Sequence, residues 1–114
     1  MYNWIKSAEH AKLIRNFLRV KFPAKKFSVR KSRYTAIDIF CNESDYDVLR
    51  SVLSAWRTGG MGMFDNYEHK EMFMGVDPET GCTVIWNSAF VDKLQNPERV
   101  SVVVDWICVQ SSMF

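Results

Sequence analysis

The sequence predicts an α+β fold: a single domain over residues 1–114, an antiparallel sheet of about five strands and two main helices, in the order α-β-β-α-β-β-(short α)-β. Three observations carry the prediction. Apolar residues recur at helical spacing from Ala11 to Val20 and again from Leu49 to Trp56. They alternate with period two at Phe27 and Val29, and at Ile37, Ile39 and Cys41. Between two further apolar runs stands Asp77-Pro78-Glu79-Thr80-Gly81, with Pro and Gly where a reversing chain favours them. A chain of 114 residues buries roughly two thirds of its unfolded surface, and 47% apolar content is ample for one core.

In chain order, Ser7 is read as the N-cap of a helix over 8–21, with Glu9 in its first turn and Pro23 preventing continuation. Leu13, Ile14 and Phe17 form its apolar face; Lys12, Arg15, Asn16 and Arg19 lie opposite, within about 100° of arc. From Lys26 the period becomes two, with Phe27 and Val29 on one face and Lys26, Ser28 and Arg30 on the other. A second strand, 34–41, puts Ile37, Ile39 and Cys41 inward and Tyr34, Asp38 and Phe40 outward, joined to the first through Lys31-Ser32-Arg33. Ser44 and Asp47 resemble a capping box before a second helix over 45–57, ended by Gly59-Gly60. Residues 61–69 read as an exposed loop with a helical turn near Tyr67. Strands over 72–76 and 82–86 flank the Asp77–Gly81 turn. Asn87 or Ser88 caps a short helix over 89–94, stopped by Asn96-Pro97, and the β-branched run 100–109 reads as one strand covered on both faces or at the centre of a sheet.

Charge is distributed unevenly. Residues 12–33 hold nine Lys or Arg and no acid, while the rest of the chain holds six bases and thirteen acids, so the net +2 conceals +9 and −7. A basic segment of this density reads as a surface that neutralises phosphates or docks on an acidic protein; the competing reading is that these are solvated faces of a helix and a hairpin, balanced by the acidic remainder. The candidate contact residues are Lys12, Arg15, Arg19, Lys25, Lys26, Arg30, Lys31 and Arg33. Placed on one sheet face, Lys26, Ser28 and Arg30 beside Tyr34, Asp38 and Phe40 would set aromatics among cations, the mixture that single-stranded nucleic acid uses; packing under another element is the competing use of those rings.

The run Phe22-Pro23-x-x-Lys26-Phe27-Ser28-Val29-Arg30, with the helix before it and Ile37-Asp38-Ile39 after it, resembles one of the large polyvalent protein associated domains. Val48, Leu53 and Phe64-Asp65 match that family's second helix and the F-D step after it, so the resemblance covers roughly residues 11–68; from Met72 onward the chain departs from it. These are small α+β modules of phage, plasmid and other mobile-element proteins. The resemblance implies that context, and a role in the survival or handling of incoming DNA. It implies no chemistry.

Other constellations are weaker. Gly59-Gly60-Met61-Gly62 spells G-x-x-G but has no cation and serves as a turn. Cys41, Cys82 and Cys108 lack C-x-x-C spacing, are odd in number and fall in predicted strands, as free buried thiols do. No close pairing of Cys and His makes a zinc site, so neither a metal nor another cofactor is expected. His10 is expected to be semi-buried and satisfied, and His69 with Asp65 and Glu68 is the one group from which a hydrolase or nuclease could be built. No run approaches the roughly 20 apolar residues of a membrane span, and no signal peptide is seen.

The expected protein is a non-enzymatic, cytoplasmic binding protein of a phage or other mobile element. It engages nucleic acid, or a host complex that handles nucleic acid, through the basic patch. The competing expectation is a protein-directed inhibitor of host defence, of the anti-restriction or anti-CRISPR kind, without nucleic acid contact; homodimerisation stays open.

Overall fold

The computed structural model describes residues 4–33, 35–61 and 67–111. The α+β class and the single compact domain hold. Instead of one antiparallel sheet of about five strands, seven strands among the described residues form two mixed sheets, and two more make a short ribbon.

Helix α1 (Ser7–Lys21) follows at once on β1 (Trp4–Ile5). The cap position is therefore Lys6, which makes no side-chain cap, and Ser7 is buried as the first helical residue, contrary to its expected role. The helix buries His10, Ala11, Ile14, Phe17 and Leu18 and leaves Lys12, Asn16 and Arg19 exposed, the division that 3.6-residue periodicity dictates. The backbone N–H of Phe22 closes the helix on the Leu18 carbonyl at 2.8 Å.

Strands β2 (Phe27–Arg33) and β3 (Ala36–Cys41) pair antiparallel, with a register shift between Lys31 and Arg33. Lys31, Ser32 and Arg33 thus extend the strand instead of turning. The reversal falls just after them, and the expected placement of Tyr34 lies outside the described residues. Val29, Ile37, Ile39 and Cys41 are buried beneath α1, as their alternation requires.

The second helical segment is broken into a 3₁₀ turn (Glu43–Asp45), α2 (Tyr46–Val52) and a second 3₁₀ turn (Leu53–Trp56), and no side chain caps it. Leu49, Leu53 and Trp56 are buried as expected. Trp56 lies 5.6 Å from Phe17 and 6.0 Å from His10 between ring centroids; burying a ring of this size contributes about 2–3 kcal/mol. The ends of the expected loop are strands: β4 (Gly59–Met61) pairs antiparallel with β5 (Tyr67–His69), so Tyr67 lies in a strand and not a helical turn. The G-x-x-G run and the Asp65–Glu68 stretch fall partly or wholly outside the described residues.

Strands β6 (Met72–Val76) and β7 (Thr83–Asn87) form the hairpin the turn sequence predicts. Asp77 organises it: one carboxylate oxygen accepts from the Thr80 hydroxyl at 2.8 Å, the other from the Glu79 amide at 3.3 Å, and Gly81 supplies the left-handed φ of 72°. Asn87 caps the 3₁₀ turn Ser88–Lys93 by accepting from the Ala89 amide at 3.1 Å.

The largest departure is the last apolar run. It is two strands in two sheets, β8 (Gln95–Val102) and β9 (Trp106–Ser111). Pro97 falls where β8 shifts register against β6, a bulge that tolerates its missing donor. Val104 then turns into the core, and the Asp105 amide bonds the Thr35 carbonyl at 2.8 Å. The sheet orders are β1-β8-β6-β7 and β2-β3-β9, with β9 parallel to β3. Helix α1 contacts both sheets, packing on β2, β3 and β7.

Candidate nucleic-acid interface

The C-terminal half of α1, the Phe22–Lys26 bend and the start of β2 enclose a cleft of about 470 Å³. Arg15 and Arg19 reach it from the helix; Lys25, Lys26 and Ser28 reach it from the bend and strand, over a floor of Phe22, Pro23, Phe27 and Val29. Cations of the helix and of the bend after it therefore share one concavity, which Arg30 and Lys31 of the hairpin do not line, and no carboxylate among the described residues lines it.

These cations are held differently. Arg15 donates from Nη2 to the Val29 carbonyl at 2.9 Å, satisfying backbone on the edge strand of the three-stranded sheet while its charge faces the cleft. Lys25 donates from Nζ to Asp45 Oδ1 at 2.7 Å and lies 5.9 Å from the Phe22 ring centroid, fastening the bend to the segment before α2. Arg19 and Lys26 are exposed and have no ion pair among the described residues. Lys12 is exposed on the same helix, outside the cleft lining; Lys31 is exposed on β2. Arg30 is exposed, its Nε donating to the Ser28 hydroxyl at 3.2 Å and its guanidinium 5.6 Å from the Phe40 ring centroid. Arg33 ends β2, and its side chain lies outside the described residues.

Sequence reasoning did not find that Ser28 and the edge of β2 border the cleft, because only the packing of α1 on β2 creates it. Lys21, of the same basic segment, turns to the other flank of α1 and pairs with Glu79 at 3.6 Å. That flank holds a second concavity, about 480 Å³, walled by Phe17, Trp86 and Phe90. Its rim cation Lys93 lies 5.5 Å from the Phe90 centroid.

Among the described residues the catalytic candidates are not brought together. His10 is fully buried, and neither ring nitrogen has a hydrogen-bond partner among the described residues, so it is not the satisfied, semi-buried histidine expected. Burial lowers its pKa to about 4, which keeps the imidazole neutral. His69 is exposed on β5, and its expected companions Asp65 and Glu68 have no described side chains. Cys41 is buried, and burial, with the Asp45 carboxylate adding, raises its thiol pKa. Cys82 and Cys108 are free and half-buried. Among the described residues no three His, Cys, Asp or Glu gather around a metal-sized space, and no helix is long and apolar enough to cross a membrane.

Fold and site together define a small α+β module with a cation-lined cleft at one helix end. The chain belongs to the large polyvalent protein associated domain 29 family, whose model matches residues 5–93. Members of this class are associated with mobile elements. The match runs well beyond 11–68 and includes the hairpin after Met72, which the sequence reading set outside the resemblance; it stops before β8 and β9. Comparison with curated proteins and with solved structures gives no match.

Proposed function

We propose that this is a non-enzymatic binding protein of a mobile element, acting in the bacterial host cytoplasm, that grips nucleic-acid phosphates in the cleft between α1 and β2. One observation carries the reading. Four cations, two from α1 and two from the bend that follows it, converge on a single cleft that no acid among the described residues lines, in a protein whose remaining charge is negative. Asp45 offsets Lys25, so Arg15, Arg19 and Lys26 carry the positive potential concentrated there. Two of the four, Arg19 and Lys26, make no ion pair among the described residues.

Salt dependence tests the reading. Four phosphate contacts give a slope of about −3 to −4 in log K against log salt. Charge reversal by Arg19→Glu with Lys26→Glu is expected to lower affinity at least about 100-fold at low salt while the thermal melt stays in place. Wild-type protein that is not retained on DNA or RNA at low salt sinks the reading. In that case, a partner captured directly from nuclease-treated lysate favours the protein-directed inhibitor instead.

A further inference from the structure

The three-stranded sheet has one covered face and one open face. Register and alternation place Ser28 and Arg30 of β2, Ala36, Asp38 and Phe40 of β3, and Trp106, Cys108 and Gln110 of β9 together on the side away from the buried row Val29, Ile37 and Ile39. Apart from the small Ala36, none of these is buried, and Trp106 is 46% exposed. Sequence reasoning expected Phe40 on such a face, but had no access to Trp106, which arrives only because β9 adds parallel to β3.

We infer that this open face receives the bases of single-stranded nucleic acid whose phosphates lie in the basic cleft. The inference rests on the reading of the cleft given above and adds the class of ligand. Continuity comes first: Ser28 lines the cleft and also belongs to the open face, and Arg30 stands beside it, so a strand leaving the cleft meets the face directly.

The chemistry then changes along the path. Phe40 carries the Arg30 guanidinium at 5.6 Å, a cation against a ring beside which a base can stack. Farther on, a concavity of about 420 Å³ is lined by Trp106 together with Ser32, Thr35, Asp38, Asp105, Cys108 and Gln110. Asp38 and Asp105 repel phosphate, which is why this end of the face cannot be an extension of the cleft. A carboxylate does accept hydrogen bonds from the exocyclic amines and ring N–H groups of bases, and hydroxyl and amide groups pair with base edges equally well. An indole wall with hydrogen-bonding groups around it suits a splayed base.

Trp106 lies opposite Ala36, four residues along β3 from Phe40, roughly 13 Å of strand rise. The two rings therefore receive different bases, not two faces of one. A duplex keeps its bases stacked and paired and offers neither ring a free face; an unpaired strand does.

The test uses the full chain at low salt with four fluorescently labelled probes of equal length: a mixed-sequence DNA single strand, its RNA counterpart, an abasic DNA strand and a DNA duplex. The base-bearing single strands are expected to bind at least about tenfold more tightly than the abasic strand. Trp106→Ala, at an exposed position, is expected to remove about tenfold from base-bearing strands and nothing from the abasic one, and to abolish part of the tryptophan quenching on binding. Phe40→Ala serves as the second variant, its fold checked by thermal melt. A preference for either sugar supports the inference and identifies the source of the strand. Equal binding of base-bearing and abasic strands overturns it while leaving the cleft reading intact, and so does tighter binding of the duplex. Loss of a dimer in Trp106→Ala with base dependence unchanged overturns it in favour of a second copy of the chain on this face. Absence of binding to all four probes removes both readings.

Discussion

Two concavities of nearly equal volume flank α1, about 470 Å³ and about 480 Å³, and they differ in what the fold does with their charges. On the aromatic flank each helix or turn cation has a neighbour: Lys21 meets Glu79, and Lys93 lies against Phe90. On the basic flank Lys25 is paired and Arg15 is anchored, while Arg19 and Lys26 are not. Size does not separate the two hollows. The difference teaches that the cations to examine for function are those that packing and pairing leave over.

The comparison breaks most visibly in stability. Trp86 contributes to the wall of the aromatic hollow and meets Phe17 edge-on at 6.0 Å, so Trp86→Ala is expected to cost about 3–5 kcal/mol in urea unfolding. Arg19→Glu with Lys26→Glu should change the same measurement by less than about 0.5 kcal/mol per site. A comparable loss from both would make the cleft a structural feature and erase the contrast.

Acid separates them next. His10 faces the core from α1, and its pKa of about 4 lies below the ordinary 6.5. The unfolded chain therefore takes up a proton at a pH where the native chain does not. Stability is full above about pH 6.5 and declines as pH falls toward 4, by about 3 kcal/mol in all. Denaturant unfolding at pH 7, 5.5 and 4.5 should show the decline, and His10→Phe should flatten the part of the profile due to this residue. A wild-type profile without any decline would mean that His10 is protonated or solvated in the native protein.

The smallest effect concerns two ion pairs that look alike on paper. Lys25 and Asp45 are 2.7 Å apart and Asp45 is only 14% exposed in its side chain, whereas Glu79 is 79% exposed in its pair with Lys21. Lys25→Met is expected to destabilise by about 1–2 kcal/mol because it leaves a carboxylate poorly solvated. Lys21→Met should cost no more than about 0.5 kcal/mol. Thermal melts of the two variants in parallel decide it; equal shifts would place Lys25 among the ordinary surface charges.

Period and turn chemistry made much of this fold legible. The α1 face, the inward row Ile37, Ile39 and Cys41, and the Asp77–Gly81 hairpin all follow from local rules that packing does not override. The run 100–109 was not legible as two strands, because its β-branched residues suit either sheet and nothing local marks Val104 as the crossing point. Ser7 misled because a strand abuts the helix and takes away the room a cap needs. For the site, the charge asymmetry was readable residue by residue. Its convergence was not, since the cleft exists only where α1 lies against β2.

The crossing from β8 to β9 bears on how such a protein is made. Strand β9 is the last of these elements to leave the ribosome, yet it pairs with β3 along the length of that strand. Until it emerges, β2 and β3 have only each other, and a two-stranded hairpin is marginal in water. Residues 12–33 therefore leave the ribosome with their nine cations before the sheet that orders them is complete.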